Sequence, residues 1–294
     1  MTTVAPMGLW DAEFPCLRLH GNGTREFLHG QTTADIQKAS EGALVRSCWL
    51  TATGRIQALL ELRLDGEGAD VLVLCGDAEA VAAGFDRVIF PADRVRLAPL
   101  AQQRRLQRLV PAPEPLDWSN TVIWADAVPE QWSGLTSVDE AAFEHWRISH
   151  GLPFSSHELN GDTNPLELGL SDWISLEKGC YLGQETLAKL TSRDGVKQQL
   201  RCWQLAAESS TESSTSPHTN LAPGQKLLHE GDRAGVITSV LHGPGQDSLN
   251  PSIGLALVRR QALECDSLQL EDGRQVDLHS APINFTNQEN ANSQ

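Results

Sequence analysis

The chain has 294 residues, enough for about two domains and a sizeable core. It is 40% hydrophobic and 21% charged, and 38 acidic against 23 basic side chains give a net charge of −15. Such a balance works against non-specific binding to nucleic acid or anionic membrane, while leaving room for a local basic pocket.

In chain order, Thr24 to His29 reads as a short helix capped by Thr24 and stopped by Gly30, with Phe27 and Leu28 as apolar anchors. A polar loop, Gly30-Gln31-Thr32-Thr33-Ala34-Asp35, follows. Ala43 to Leu50 and Arg55 to Leu64 form a hairpin around Thr51-Ala52-Thr53-Gly54. In its second strand Ile56, Ala58, Leu60, Leu62 and Leu64 share one face, and Gln57, Leu59, Glu61 and Arg63 the other. That period of two places one side on a core. After the Asp65–Gly68 turn, Val71 to Leu74 is a strand, Asp77 caps a helix through about Phe85, and Val95 to Leu97 returns as a strand. Alternation of this kind indicates helices packed on a sheet.

Gln102 to Leu109 holds Arg104, Arg105 and Arg108, a basic cluster that reads as a solvated face. Residues 111–134 are rich in proline around one apolar stretch, Thr121 to Trp124. Ser137-Val138-Asp139-Glu140 is a capping box, opening a helix that buries Phe143 and Trp146 and ends at Gly151-Leu152-Pro153. Trp173 to Leu176 reads as a short strand, and Gln184 to Leu190 as a helix with Glu185 and Lys189 paired at i,i+4. Beyond Gly195 the pattern changes to short strands: Leu200–Leu205, Gly235–Leu241, Ile253–Val258, and a hairpin around Asp272-Gly273. These indicate a small β-barrel or sandwich. The Ser/Thr-rich tract 206–220 reads as a mobile loop, and the residues from Asn284 as a disordered tail.

The six cysteines show no C-x-x-C pair, and the nine histidines no i,i+4 pair. Neither a metal site nor a disulfide framework is expected, and a reducing compartment is. With no secretory pattern in MTTVAPMGLWDAEF and no apolar run of membrane-spanning length, the expectation is a soluble, cytoplasmic protein without membrane or nucleic-acid partners.

The stretch Leu176 to Thr186, LEKGCYLGQET, concentrates the chemistry. It sets Cys180 between two glycines, two residues from Lys178, beside the only tyrosine and ahead of a helix. A helix N-terminus and an ammonium both favour a thiolate. The alternative is a strand-to-helix turn carrying a small buried thiol.

This stretch resembles the K-G-C-Y-x-G-Q-E signature of the YgfZ family, folate-binding relatives of the glycine cleavage T-protein, an aminomethyltransferase. Phe27 to Asp35 is similar to that family's F-L-x-G-Q-x-T-x-D segment, and Thr51 to Gln57 to its T-x-x-G-R-I turn. Trp146–Ile148, Gly151–Pro153 and Asn164-Pro165-Leu166-Glu167 resemble the stretch before the cysteine, and Gly195 to Leu200 the one after it. Gly235 to Ser239 and Leu255 to Val258 are similar to the superfamily's barrel, so the likeness spans residues 9–285.

The resemblance implies an α+β aminomethyltransferase fold: a folate-binding region of two subdomains over 1–199 and a C-terminal β-barrel over 200–285, arranged as a ring, with 286–294 as a tail. It implies tetrahydrofolate or a derivative as cofactor, a role in iron–sulfur cluster assembly or repair, and iron–sulfur client or assembly proteins as partners. Cys180 is then the reactive thiol. Lys178 is either its helper or an ordinary exposed lysine. Tyr181 either stacks on a ligand or closes the core, and Gln184 and Glu185 either contact a ligand or hold the loop. Arg147 offers a fork for a carboxylate or makes a surface ion pair. Gln31, Thr32 and Asp35 line a pocket or cap the next segment.

Two departures bear on activity. Carboxylates expected in aminomethyltransferases fall on Ala82 and Ser149, which removes the obvious agents of proton handling. The expectation is therefore a folate-binding accessory protein, with an aminomethyltransferase and a non-catalytic scaffold as the competing readings.

Overall fold

The computed structural model describes residues 8–111, 118–192, 195–205, 221–242 and 252–280. The tract 206–220 and the tail expected from Asn284 lie outside the described residues.

The chain opens with a 13-residue strand, β1 (Gly8–His20), followed by helix α1 (Thr24–Gln31). A meander follows: β2 (Leu44–Leu50), β3 (Ile56–Asp65) and β4 (Gly68–Gly76). Helix α2 (Ala78–Val88) begins where Asp77 accepts a hydrogen bond from the Ala80 amide. Then come β5 (Arg96–Leu97), β6 (Ala101–Leu109), the single turn α3 (Trp118–Thr121), β7 (Val122–Trp124) and α4 (Glu140–Ser149). Asp139 caps α4 through the Ala142 amide, two residues later than a box built on Ser137. Thr24 likewise is inside α1, whose N-cap is Gly23 with no side-chain bond.

These strands form one antiparallel sheet in the order β2-β3-β4-β1-β6-β7, with β5 added to β1. Its two faces are both covered. One meets α1 and α2 through Phe27, Leu28, Trp49, Val81 and Phe85. The other is a second apolar layer holding Leu59, Leu72, Trp124, Ile148, Trp173 and Tyr181, which also takes in Leu200, Leu255 and Leu257 from the barrel. The period of two in β3 therefore does not separate core from solvent: Leu59 and Glu61 are fully buried alongside Leu60 and Leu62. A strand inside a two-sided layer buries both sets of side chains.

Charges on the inner face must be paired, and they are. Glu61 takes hydrogen bonds from Arg105 Nε at 2.9 Å and from Trp124 Nε1 at 2.6 Å. The Arg105 Nη1 donates to Gln107 Oε1 at 2.6 Å. Arg105 is 1% exposed, so the basic run of β6 is not simply a solvated face. Arg104 is its outward member, bonded to Asp11.

After α5 (Gln184–Ser192) the chain enters the barrel: β8 (Gln198–Leu205), β9 (Lys226–His229), β10 (Asp232–Leu241), β11 (Ile253–Arg259), β12 (Ser267–Leu270) and β13 (Gln275–Ser280). The six strands close in the order β10-β11-β8-β13-β12-β9, around an interior of Trp203, Leu227, Ile237, Val258 and Val276. Closure removes the unpaired edges that short strands would otherwise expose.

Two segments bind sheet, barrel and thiol loop together. In the first, Glu167 accepts the Leu200 amide of β8 through its carbonyl at 2.8 Å, while the Ile56 amide of β3 reaches the Thr163 carbonyl at 2.9 Å. The second is a close approach of two turns. Gly183 has φ +83°, and a Cβ there would meet the Thr51 carbonyl at 2.7 Å and Gly54 Cα at 2.9 Å. The hairpin turn and the thiol motif thus fit only because residue 183 has no side chain. Gly183→Ala is expected to lower stability by about 1–3 kcal/mol, from backbone strain plus contact with a carbonyl that cannot retreat. Urea denaturation of the two proteins checks this.

Candidate functional site

Cys180 is the exposed cysteine of the chain; Cys16 and Cys48 are buried, and Cys75, Cys202 and Cys265 intermediate. Burial pushes the Cys16 and Cys75 thiols up to about 11, and those of Cys48 and Cys202 to about 12. Such thiols are inert packing groups at neutral pH. The exposed sulfur of Cys180 rests on a fastened loop.

The expected strand at Trp173–Leu176 is not formed. Ser171–Trp173 is a 3₁₀ turn, and the extended chain after it makes one ladder-like contact, Ser175 N–H to the Thr33 carbonyl at 2.9 Å. Trp173 anchors in the inner layer and its carbonyl accepts from Thr33 Oγ1 at 2.7 Å. Among the described residues it pairs with no strand of the sheet, so side-chain anchoring and not a ladder fixes this stretch.

Lys178 points inward and is 9% exposed. Its ammonium donates to the carbonyls of His29, Thr32 and Ala34 at 2.5, 2.6 and 2.7 Å. All three of its protons are thereby committed, which leaves none for the thiol. The charge sits where α1 ends and carbonyl dipoles converge, a favourable place for a cation. Burial nevertheless pulls the group down to about 8. The expectation of an exposed lysine is overturned, and a direct bond to the thiol is excluded by the same three contacts.

Gln184 is the second fastener. Its Nε2 donates to the carbonyls of Leu176 and Lys178, and its Oε1 accepts the Tyr181 amide at 3.3 Å. Its contacts are those of a side chain holding the loop. Glu185 is exposed and pairs with Lys189 at 2.5 Å. Tyr181 closes the inner layer at 7% exposure, with Lys178 Nζ 4.7 Å from its ring centre. Its hydroxyl is buried without a hydrogen-bond partner, and burial raises its pKa.

The loop after α1 is the other half of the site. Thr32 caps α1 by donating through Oγ1 to the Leu28 carbonyl at 2.8 Å. Gln31 is the half-buried last residue of that helix. Asp35 accepts the Lys38 amide at 3.4 Å and pairs with Lys38 at 3.1 Å and His29 Nδ1 at 3.5 Å. Burial pushes the Asp35 carboxyl up, but bonding to Lys38 and the charges of Lys38 and His29 outweigh it and hold it below the usual range.

Arg147 stands apart from this group and is 2% exposed. Its Nε and Nη2 donate to Glu144, its Nη2 also to Ser239 Oγ, and its Nη1 to the Leu152 carbonyl. The same Nη1 lies 3.7 Å from Glu158 Oε2. A guanidinium so engaged is a strut between α4 and barrel strand β10, neither a surface ion pair nor an open fork for a ligand carboxylate.

Glu158 is a residue that sequence reading missed. It is fully buried, accepts from Ser239 Oγ at 2.8 Å, and leaves Oε2 without a hydrogen bond. Its only signal was an acidic residue inside a polar, glycine-punctuated loop. Neither Ala82 nor Ser149 supplies a carboxylate: Ala82 packs on the α2 side of the sheet, and Ser149 Oγ donates to the His145 carbonyl at 2.7 Å.

Half-buried aromatic side chains edge the inner layer. Trp118 stands edge-on to Trp173 with centroids 6.5 Å apart, Phe154 meets the same Trp173 at 6.4 Å, and the Arg46 guanidinium lies 4.5 Å over the Trp118 ring. Among the described residues no group of three or more metal-ligating side chains occurs, and no helix is long and apolar enough to cross a membrane.

No family model matches the chain. A chloroplastic protein of Arabidopsis thaliana is 24% identical across 85% of this chain, which spans 65% of that relative's length. The tRNA-modifying protein YgfZ of Escherichia fergusonii is 24% identical over 306 residues, covering 92% of this chain and 90% of that protein. An aminomethyltransferase of Caldanaerobacter subterraneus is 26% identical over 49% of this chain and 33% of its own length. Among solved structures, the glycine cleavage system aminomethyltransferase T of Bartonella henselae superposes with a TM-score of 0.67, at 20% identity, over 96% of this chain and 87% of that one. The α+β sheet and the closed six-stranded barrel are therefore the aminomethyltransferase fold, and along nearly its whole length the chain is similar to YgfZ.

Proposed function

We propose that this protein binds a tetrahydrofolate and uses the exposed thiol of Cys180 in support of iron–sulfur enzymes. The observation that carries the reading is an accessible sulfur on a loop anchored on both sides of the cysteine, by Lys178 and by Gln184. A loop fixed in this way presents its sulfur in one place, which suits repeated encounter with a partner. The aromatic edge of Trp118, Trp173 and Phe154 suits a flat heterocycle, and the buried Tyr181 hydroxyl is a donor in want of an acceptor. Arg46, above Trp118, places a cation at that edge and takes over the part first expected of Arg147. When bound, a tetrahydrofolate supplies one-carbon-carrier chemistry; the protein residues hold it and keep water away.

The aminomethyltransferase reading has the fold in its favour, but the two carboxylates expected for that reaction are absent at Ala82 and Ser149. Turnover of a lipoyl-bound amine would overturn the accessory role.

Titration of tetrahydrofolate against tryptophan fluorescence tests the ligand half. Saturable quenching is expected, weakened about tenfold in Trp118→Ala by loss of one stacking face. Cys180→Ser tests the other half: folate binding stays and activity of cluster-dependent enzymes in the host falls. A Cys180→Ser protein with full activity in the host sinks the role of the thiol.

A further inference from the structure

We propose that His29 is the proton acceptor for the Cys180 thiol, with Asp35 orienting its ring. The inference rests on the reading of Cys180 as the working thiol.

His29 lies in the last turn of α1 and is 8% exposed. Its backbone carbonyl is gripped by Lys178, so the helix end and the thiol loop are tied at this residue. The ring then lies along that loop: a Cβ built on Gly179 would fall 3.5 Å from His29 Nε2 and 4.0 Å from Cδ2, and beyond the two adjoining residues it would meet no other group within 4 Å. Gly179 immediately precedes Cys180 and places no side chain of its own against Nε2. Cys180 is exposed and its side chain can turn toward the ring. On the opposite edge, Nδ1 is buried, makes no hydrogen bond, and faces Asp35 Oδ1 at 3.5 Å. A proton on Nδ1 directed at that carboxylate leaves the Nε2 lone pair for the thiol, the division of labour that orients a catalytic imidazole.

The charges around the ring set its state. Burial and then the Lys178 ammonium lower the His29 pKa, and Asp35 raises it in part. Lys38, 3.1 Å from Asp35, tempers that carboxylate. The net lowering keeps the imidazole neutral near pH 7, the form that accepts a proton. The S–H bond breaks as an Nε2–H bond forms, giving a thiolate beside an imidazolium that Asp35 steadies. When the thiolate displaces a leaving group such as iodide, a C–S bond replaces the C–I bond and the imidazolium returns its proton to solvent.

The test is alkylation of Cys180 by iodoacetamide, followed peptide by peptide by mass spectrometry, from pH 5 to 10. The native protein is expected to show an inflection below the value of about 8.5 typical of an unassisted cysteine. His29→Gln is expected to slow labelling at pH 7 by about tenfold and return the inflection to the unassisted value. Asp35→Asn slows it less, since the imidazole remains. The Cys265 peptide serves as internal control and does not change. A His29→Gln protein that labels within twofold of native, with the same inflection, overturns the proposal. If that variant fails to fold, the native profile decides: a lone inflection near 8.5 overturns the proposal equally. A native Cys180 that resists alkylation even at about pH 9, where an accessible thiol is ionised, overturns this proposal together with the thiol reading of Cys180, whereas the other outcomes touch His29 alone.

Discussion

Glu61→Ala is expected to destabilise the protein by about 3–5 kcal/mol, the range seen when one member of a buried ion pair is removed. The side chain is fully buried on β3 and is held by Arg105 of β6 and the indole of Trp124 of β7. Strands β4 and β1 lie between β3 and β6 in the sheet order, so this carboxylate links strands that share no backbone bonds. Truncation leaves a guanidinium without countercharge at 1% exposure and an indole N–H without an acceptor. Desolvation dominates the loss, because the attraction between the partners largely offsets their burial only while both are present. The double variant Glu61→Leu, Arg105→Met is therefore expected to recover most of the loss. Urea unfolding of the two single variants and the double variant checks this. A single variant within about 1 kcal/mol of native, as for an exposed pair, would show that the guanidinium finds water.

The same pair shows why one part of the fold was legible in the sequence and another was not. Strand β3, the turn at Gly54, α2 with its Asp77 cap, and the barrel strands announce themselves through local patterns: a period of two, turn residues and capping side chains. Local patterns do not say how many layers cover a sheet. Leu59 and Glu61 read as an outer face because nothing near them in sequence covers them; the cover comes from Trp173, Tyr181 and Leu255, more than 100 residues away. For the same reason Arg105 read as a surface cation, and Arg147 as a ligand fork or a surface ion pair and not as a buried strut. At the site, the thiol motif and the loop after α1 were both visible as separate segments. Their contact through Lys178 spans 144 to 149 residues, and no spacing rule reports it. His29 was hidden for a related reason: it occupies an unspecified position of the motif, and only the packing of Gly179 against its ring singles it out.

Lys178→Met is expected to lower stability by about 2–4 kcal/mol, because three converging carbonyls at the end of α1 lose their donor together. Methionine matches the stem in volume, so little of the effect comes from packing. Arginine should not rescue it: a planar fork presents its donors along an edge, whereas the carbonyls of His29, Thr32 and Ala34 surround one point. The measurement separates the two roles open to this lysine. A lock predicts that urea stability drops in Met and Arg variants alike and that amide exchange rises at Ser175, whose N–H bonds the Thr33 carbonyl and joins the two loops. A thiol helper predicts an unchanged unfolding midpoint with slower alkylation of Cys180. The three committed protons favour the lock, which also explains how a short loop with two glycines keeps its sulfur in place: the stiffness comes from the helix end to which it is tied.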